Sequence, residues 1–113
     1  MPWYKVAEIN GLAKESLLKV QAGGKTICLV NNNGRWFAVS ANCPHAGADL
    51  SKGWCQEGQL VCPFHRYTYN LSTGKGATGQ NDYINTYPVE ARNDGVYVEI
   101  KSWFDKLTNA FTP

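Results

Sequence analysis

Residues 26–40 read Thr-Ile-Cys-Leu-Val-Asn-Asn-Asn-Gly-Arg-Trp-Phe-Ala-Val-Ser. Two runs that cluster β-branched and aromatic residues, Thr26 to Val30 and Trp36 to Ser40, stand on either side of Asn31-Asn32-Asn33-Gly34. Asparagine and glycine tolerate the positive φ that a tight connection needs, so the stretch predicts a β-hairpin. The same grammar recurs along the chain. Trp3 to Val6, Leu17 to Val20, Gln59 to Cys62, Tyr67 to Asn70, Pro88 to Arg92 and Val96 to Ile100 are short β-type runs bounded by turn residues. Asn93-Asp94-Gly95 joins the last two in a second predicted hairpin. Many short strands at close spacing predict an all-β fold, an antiparallel sandwich or barrel. Gly11 to Leu18 offers room for one helical turn.

The chain has 113 residues and a mass of 12.5 kDa, enough for one domain and one core. With 43% hydrophobic and 18% charged residues it is far from the compositions that stay unfolded. Its net charge of +2 is spread without a basic block that would track a phosphate backbone, so no nucleic acid partner is expected. The N-terminal Met-Pro-Trp-Tyr-Lys does not lead into the apolar stretch of a signal peptide, and no window approaches a membrane span. The expectation is a cytoplasmic protein with no membrane partner. In that compartment Cys28, Cys43, Cys55 and Cys62 are metal ligands or reduced thiols rather than a disulfide framework.

Two segments break the strand pattern. Residues 41–54 are rich in small residues and 72–82 contain Gly74, Gly76 and Gly79, so both read as loops, which inside a compact domain are usually functional. At the C-terminus, Ser102 is placed to cap a short helix over 102–111, with Trp103, Leu107 and Phe111 on one face for packing on the domain or on a partner.

The two histidines of the chain each stand beside a cysteine, in Cys43-Pro44-His45 and Cys62-Pro63-Phe64-His65. Two mixed hooks, each stiffened by a proline, make a four-ligand metal site. Two thiolates and two imidazoles suit one tetrahedral zinc or an asymmetric iron–sulfur cluster. Zinc sites usually draw like ligands in pairs, whereas one thiolate and one imidazole per hook suits a cluster with one iron on the cysteines and the other on the histidines.

Cys43-x-His45 and Cys62-x2-His65 at this separation resemble the Rieske 2Fe-2S motif. The surrounding residues 41–50 and 61–70 look like the two cluster-binding loops of that family, and the Tyr87-Pro88-Val89 and Val96-Tyr97-Val98 runs look like its basal domain. The resemblance implies a β-sandwich over residues 1–113 with a cluster-binding subdomain inserted at about 41–72. It also implies one 2Fe-2S cluster held by Cys43, His45, Cys62 and His65, near the tip, with the histidine edges reaching solvent.

Ala46 and Gly47, directly after a ligand, are small enough to let backbone N–H groups approach the cluster sulfurs, or form an ordinary turn. Phe64 and Trp54 shield the cluster from water or serve as core. In high-potential members of the family a hydroxyl two residues after the second histidine and a tyrosine four residues after it donate to sulfur. Here those positions are Tyr67, too bulky to replace the small hydroxyl residue, and Tyr69, a donor or a core aromatic. The disulfide of the cytochrome bc class would fall at Ala48 and Phe64 and cannot form. These departures place the centre toward the low end of the established Rieske range of roughly −150 to +300 mV. Glycine and threonine replace the proline expected in the cover loop over 74–82, which suggests a mobile or partner-shaped cover. Cys28 reads as a buried thiol, and Cys55 has no assigned role.

A Rieske oxygenase needs a second iron on two further histidines and a carboxylate, and both histidines here are already used. No glycine fingerprint for a nicotinamide cofactor is present. The expected function is a one-electron carrier, a soluble Rieske-type ferredoxin and not itself an enzyme, passing electrons from a reductase to an oxygenase or similar acceptor. Contact would be through a small surface around Pro44, Gly47 and Phe64. The alternatives are a Rieske-like small subunit of a nitrite reductase-type complex and a structural zinc module.

Overall fold

The computed structural model describes residues 2–8, 16–44, 47–64, 66–80 and 82–100. Ten strands run through them. They are β1 (Trp3–Ala7), β2 (Ser16–Ala22), β3 (Lys25–Asn32), β4 (Arg35–Ser40), β5 (Trp54–Gln56), β6 (Gln59–Val61), β7 (Thr68–Asn70), β8 (Thr86–Tyr87), β9 (Val89–Arg92) and β10 (Gly95–Glu99). A single 3₁₀ turn, Leu50–Lys52, interrupts them, and no α-helix occurs among the described residues. The all-β expectation therefore stands. The C-terminal helix expected at 102–111 and most of the Gly11 to Leu18 stretch lie outside the described residues. Among the described residues, no helix is long and apolar enough to cross a membrane.

The strands form three antiparallel sheets, β2-β3-β4-β8, β1-β10-β9 and β5-β6-β7. Strand β3 explains how they stack. Its side chains alternate between two separate cores: Ile27 and Leu29 join Ala38, Val96, Val98 and Ile100, while Cys28 and Val30 join Val39, Cys43, Leu60, Cys62 and Tyr69. All four β3 side chains are fully buried. A strand covered on both faces reads as a continuous apolar run, as Ile-Cys-Leu-Val does. The four-stranded sheet is thus the middle layer, packed on one face against β1-β10-β9 and on the other against β5-β6-β7 and the cysteine loops.

Hairpin turns fix the register. Asn33 and Gly34 have φ of 55° and 94°, Gly23 and Gly24 56° and 80°, and Glu57 and Gly58 52° and 76°. Two consecutive left-handed residues match the right-handed twist of paired strands. Asn31, the buried polar residue of the middle sheet, accepts a hydrogen bond from the Gly34 N–H at 2.9 Å and so satisfies its side chain within the turn it precedes. The Asn93-Asp94 hairpin is also present, with Gly95↔Arg92 as its closing pair. Strands β5 and β8 are the elements that the sequence pattern did not reveal, being three and two residues long.

This double burial gives a direct test. Leu29→Ala is expected to cost about 2–5 kcal/mol, because it leaves a cavity in a packed layer. Leu18→Ala, on the neighbouring strand but 39% exposed, should cost well under half of that. Urea unfolding followed by far-ultraviolet circular dichroism compares the two.

Candidate metal centre

The two cysteine loops are built on the same plan. The Cys43 N–H donates to the Ala48 carbonyl at 2.8 Å and the Cys62 N–H to the Tyr67 carbonyl at 2.7 Å, so each loop closes on the residue five positions after its cysteine. In both, a proline follows the cysteine, and the residue four positions after it is left-handed: Gly47 at φ 69° and Arg66 at φ 56°. The proline fixes φ on leaving the cysteine, and the left-handed residue turns the chain back. Gly47 takes this conformation without strain, whereas Arg66 carries a Cβ penalty of about 1–2 kcal/mol that loop closure must offset.

The result is a pair of convergent thiols. Cys43 and Cys62 are both buried in the same core, close enough for Cys43 to raise the Cys62 thiol. Burial pushes the Cys62 thiol up to about 11, opposed by a hydrogen bond from the Phe64 backbone and reinforced by Cys43. Two buried thiols in contact, one already receiving a backbone N–H, form a donor set suited to a soft metal or a thiolate-bound cluster. His45, His65 and Ala46 lie outside the described residues. Among the described residues, no three His, Cys, Asp or Glu side chains converge as a metal site.

Around the thiols, Tyr69 is fully buried in the same core, and its hydroxyl lies 3.2 Å from Cys43 Sγ. Of the two expectations for Tyr69, the core aromatic is the one observed, with its hydroxyl lying beside the Cys43 sulfur. Tyr67 is half-buried and packs against this core, as do Ala48 and Cys55. Cys28 is buried in it, and desolvation pushes its thiol up to about 12. Trp54 and Phe64 are 40% and 57% exposed, so neither is a core residue. Phe64, Pro44 and Gly47 are all on the surface.

Two groups were not anticipated. Asp49 ties the first loop to the middle sheet: its carboxylate accepts from Lys19 Nζ of β2 at 2.8 Å, and from the hydroxyl and N–H of Ser51 at 2.6 and 3.0 Å. Asp82 accepts from the Tyr69 hydroxyl at 2.8 Å. The segment 74–82, where the missing proline suggests a mobile or partner-shaped cover, is fastened to β7 through its described residues. Asn70 N–H donates to the Lys75 carbonyl, Ala77 N–H to Thr68 and Gly76 N–H to Asp82, and the Gln80 side chain bonds both backbone groups of Thr68. Glycine permits this fastening, because a Cβ at Gly76 would collide with the Asp82 carboxylate and carbonyl. Asp82 is the sole carboxylate in residues 74–82, a weak signal that had no pattern to make it readable.

Comparison with known proteins is consistent with this geometry. The family model described as the Rieske [2Fe-2S] domain matches residues 2–88. The ferredoxin component of the naphthalene 1,2-dioxygenase/salicylate 5-hydroxylase systems of a Ralstonia species is 28% identical over 88% of this chain and 96% of its own length. Human apoptosis-inducing factor 3 is 32% identical over 82% of this chain, which spans only 16% of that longer protein. Among solved structures, the ferredoxin of carbazole 1,9a-dioxygenase from Nocardioides aromaticivorans IC177 superposes with a TM-score of 0.81 at 23% identity, covering 89% of this chain and 100% of its own.

Three substitutions test this geometry. Gly47→Ala should cost about 1–2 kcal/mol, while Arg66→Gly should leave stability unchanged or raise it, both read from urea midpoints. The Asp49 carboxyl, held down to about 2 mainly by Lys19 and Ser51, stabilises the fold fully above the unfolded carboxyl value of about 4. That contribution is lost as pH falls through about 2. Asp49→Asn should therefore lose about 1 kcal/mol at neutral pH, a figure that allows for solvent screening, and show a flatter stability profile between pH 5 and 2.

Proposed function

Because the chain belongs to the Rieske [2Fe-2S] domain family, we propose that it is a one-electron carrier of the ferredoxin type, serving between a reductase and an oxygenase or similar acceptor. The observation that carries this reading is the pair of buried cysteines in one core, on two loops that each close from the cysteine N–H to the carbonyl five residues on. We assign Cys43 and Cys62 as the ligands of one iron, and His45 and His65 as the ligands of the other. When bound, the cluster takes up and releases one electron at a time. The protein's part is to hold the ligands rigidly, to place the Phe64 N–H on the Cys62 sulfur, and to keep water from the cysteine side through Leu50, Leu60 and Tyr69.

The exposed face around Pro44, Gly47 and Phe64 is the surface we assign to transient docking, with a contact below roughly 1,200 Å². Residues 1–113 act in this reading as one domain whose cluster-binding part is about 41–72. A reducing, cytoplasmic setting suits four cysteines that are all free thiols. With both histidines committed to the cluster, the chain has none for a catalytic mononuclear iron, so it delivers electrons and does not itself oxygenate.

Substitution of the histidines tests the assignment. His45→Ala and His65→Ala are each expected to abolish the Rieske visible and EPR spectra while leaving the far-ultraviolet circular dichroism of the sheets in place. Survival of the Rieske spectrum in either variant would overturn the ligand set. In stopped-flow mixing, the reduced parent should pass one electron per chain to an oxidised Rieske oxygenase. Phe64→Ala should slow this step at sub-saturating acceptor without altering the spectrum.

A further inference from the structure

The Tyr69 hydroxyl stands between two acceptors. Cys43 Sγ lies 3.2 Å away on one side and Asp82 Oδ2 2.8 Å away on the other. A phenol has one proton to donate, and here it goes to the carboxylate. Cys43 can complete the hydroxyl's bonding only while it is a thiol. As a metal-bound thiolate it has no proton to give, and the single phenolic proton then faces two anions. A carboxylate oxygen at 2.8 Å is the shorter and stronger acceptor.

Asp82 is also held in place to keep it. Its other oxygen, Oδ1, accepts from Gln80 Nε2 at 3.0 Å, and its carbonyl accepts from the Gly76 N–H at 3.0 Å. Gln80 in turn spans the Thr68 N–H and carbonyl at 3.0 and 3.1 Å, on the same strand β7 that carries Tyr69. The carboxylate and the tyrosine are thus anchored to one another through the backbone of that strand.

We propose that Asp82 is a positioning residue that draws the Tyr69 proton away from Cys43 and so keeps the reduction potential of the centre below the value a Tyr69–Cys43 hydrogen bond would give. The proposal rests on the assignment of Cys43 as a cluster ligand. The reduced centre carries one more electron than the oxidised one, so a donor on a ligand sulfur favours reduction. Withholding that donor favours the oxidised state, and the negative charge of Asp82 acts in the same direction.

A double-substitution cycle on the cluster-loaded full chain, read by redox titration of the visible spectrum, tests this. Tyr69→Phe alone should change the reduction equilibrium constant by less than about twofold, since its proton is already committed elsewhere. Asp82→Ala should raise the constant roughly tenfold, equivalent to 59 mV for one electron. Adding Tyr69→Phe to Asp82→Ala should take back at least half of that rise. If Asp82→Ala does not load cluster, Asp82→Asn replaces it, with the same sign and a smaller rise. Two results would overturn the proposal: a potential lowered equally by Tyr69→Phe with or without Asp82, or a rise in Asp82→Ala that Tyr69→Phe leaves untouched, the mark of charge alone. A parent chain that binds no iron or sulfide would instead overturn the carrier reading, and the proposal with it.

Discussion

The meeting of Cys43 and Cys62 is the contact on which the site depends, and the backbone produces it. Buried thiols are poor ionisers, and desolvation is the main cause that raises the pKa of both Cys28 and Cys62. A fold that buries two of them side by side gains little from their thiol form, so the arrangement makes physical sense as a ligand pair whose protons are surrendered to metal. The loops can hold that pair because each is closed by its own backbone hydrogen bond and turned by a left-handed residue. The second loop keeps an arginine in the position where the first has glycine. Its strain is the clearest sign that loop geometry, and not local preference, sets the conformation there.

The middle sheet makes the loops rigid with respect to the rest of the chain. Strand β3 contributes alternate side chains to two cores, so the layer beneath the cysteines is the same layer that packs on β1-β10-β9. Asp49, bonded to Lys19 on β2, adds a polar tie between the first loop and that sheet. A redox carrier benefits from such stiffness, since little rearrangement then accompanies the change of charge at its centre. On the outer face Phe64 and Pro44 are exposed.

Much of this was legible in the sequence, because the signals were local. The run from Thr26 to Val30, the Asn33-Gly34 turn and the loops that follow Cys43 and Cys62 each carry their meaning within a few residues. Strands β5 and β8 were not legible, being too short to show alternation and held by pairing with β6 and β4. Asp82 was not legible for a related reason. Its partner is thirteen residues away on another element, and the contact exists only because Gln80 and Gly76 fold the segment back onto β7. In this segment, which lacks the expected proline, hydrogen bonds rather than ring stiffness give the described residues their shape.

The most direct test of the central claim is iron, sulfide and zinc analysis of anaerobically purified protein, with absorbance and EPR spectra of the same sample before and after dithionite. The account requires about two irons and two sulfides per chain, no stoichiometric zinc, and a Rieske-type EPR signal that appears on reduction. A colourless protein holding one zinc and no sulfide, unchanged after attempted cluster reconstitution, would contradict it and leave the cysteine pair as part of a structural zinc site.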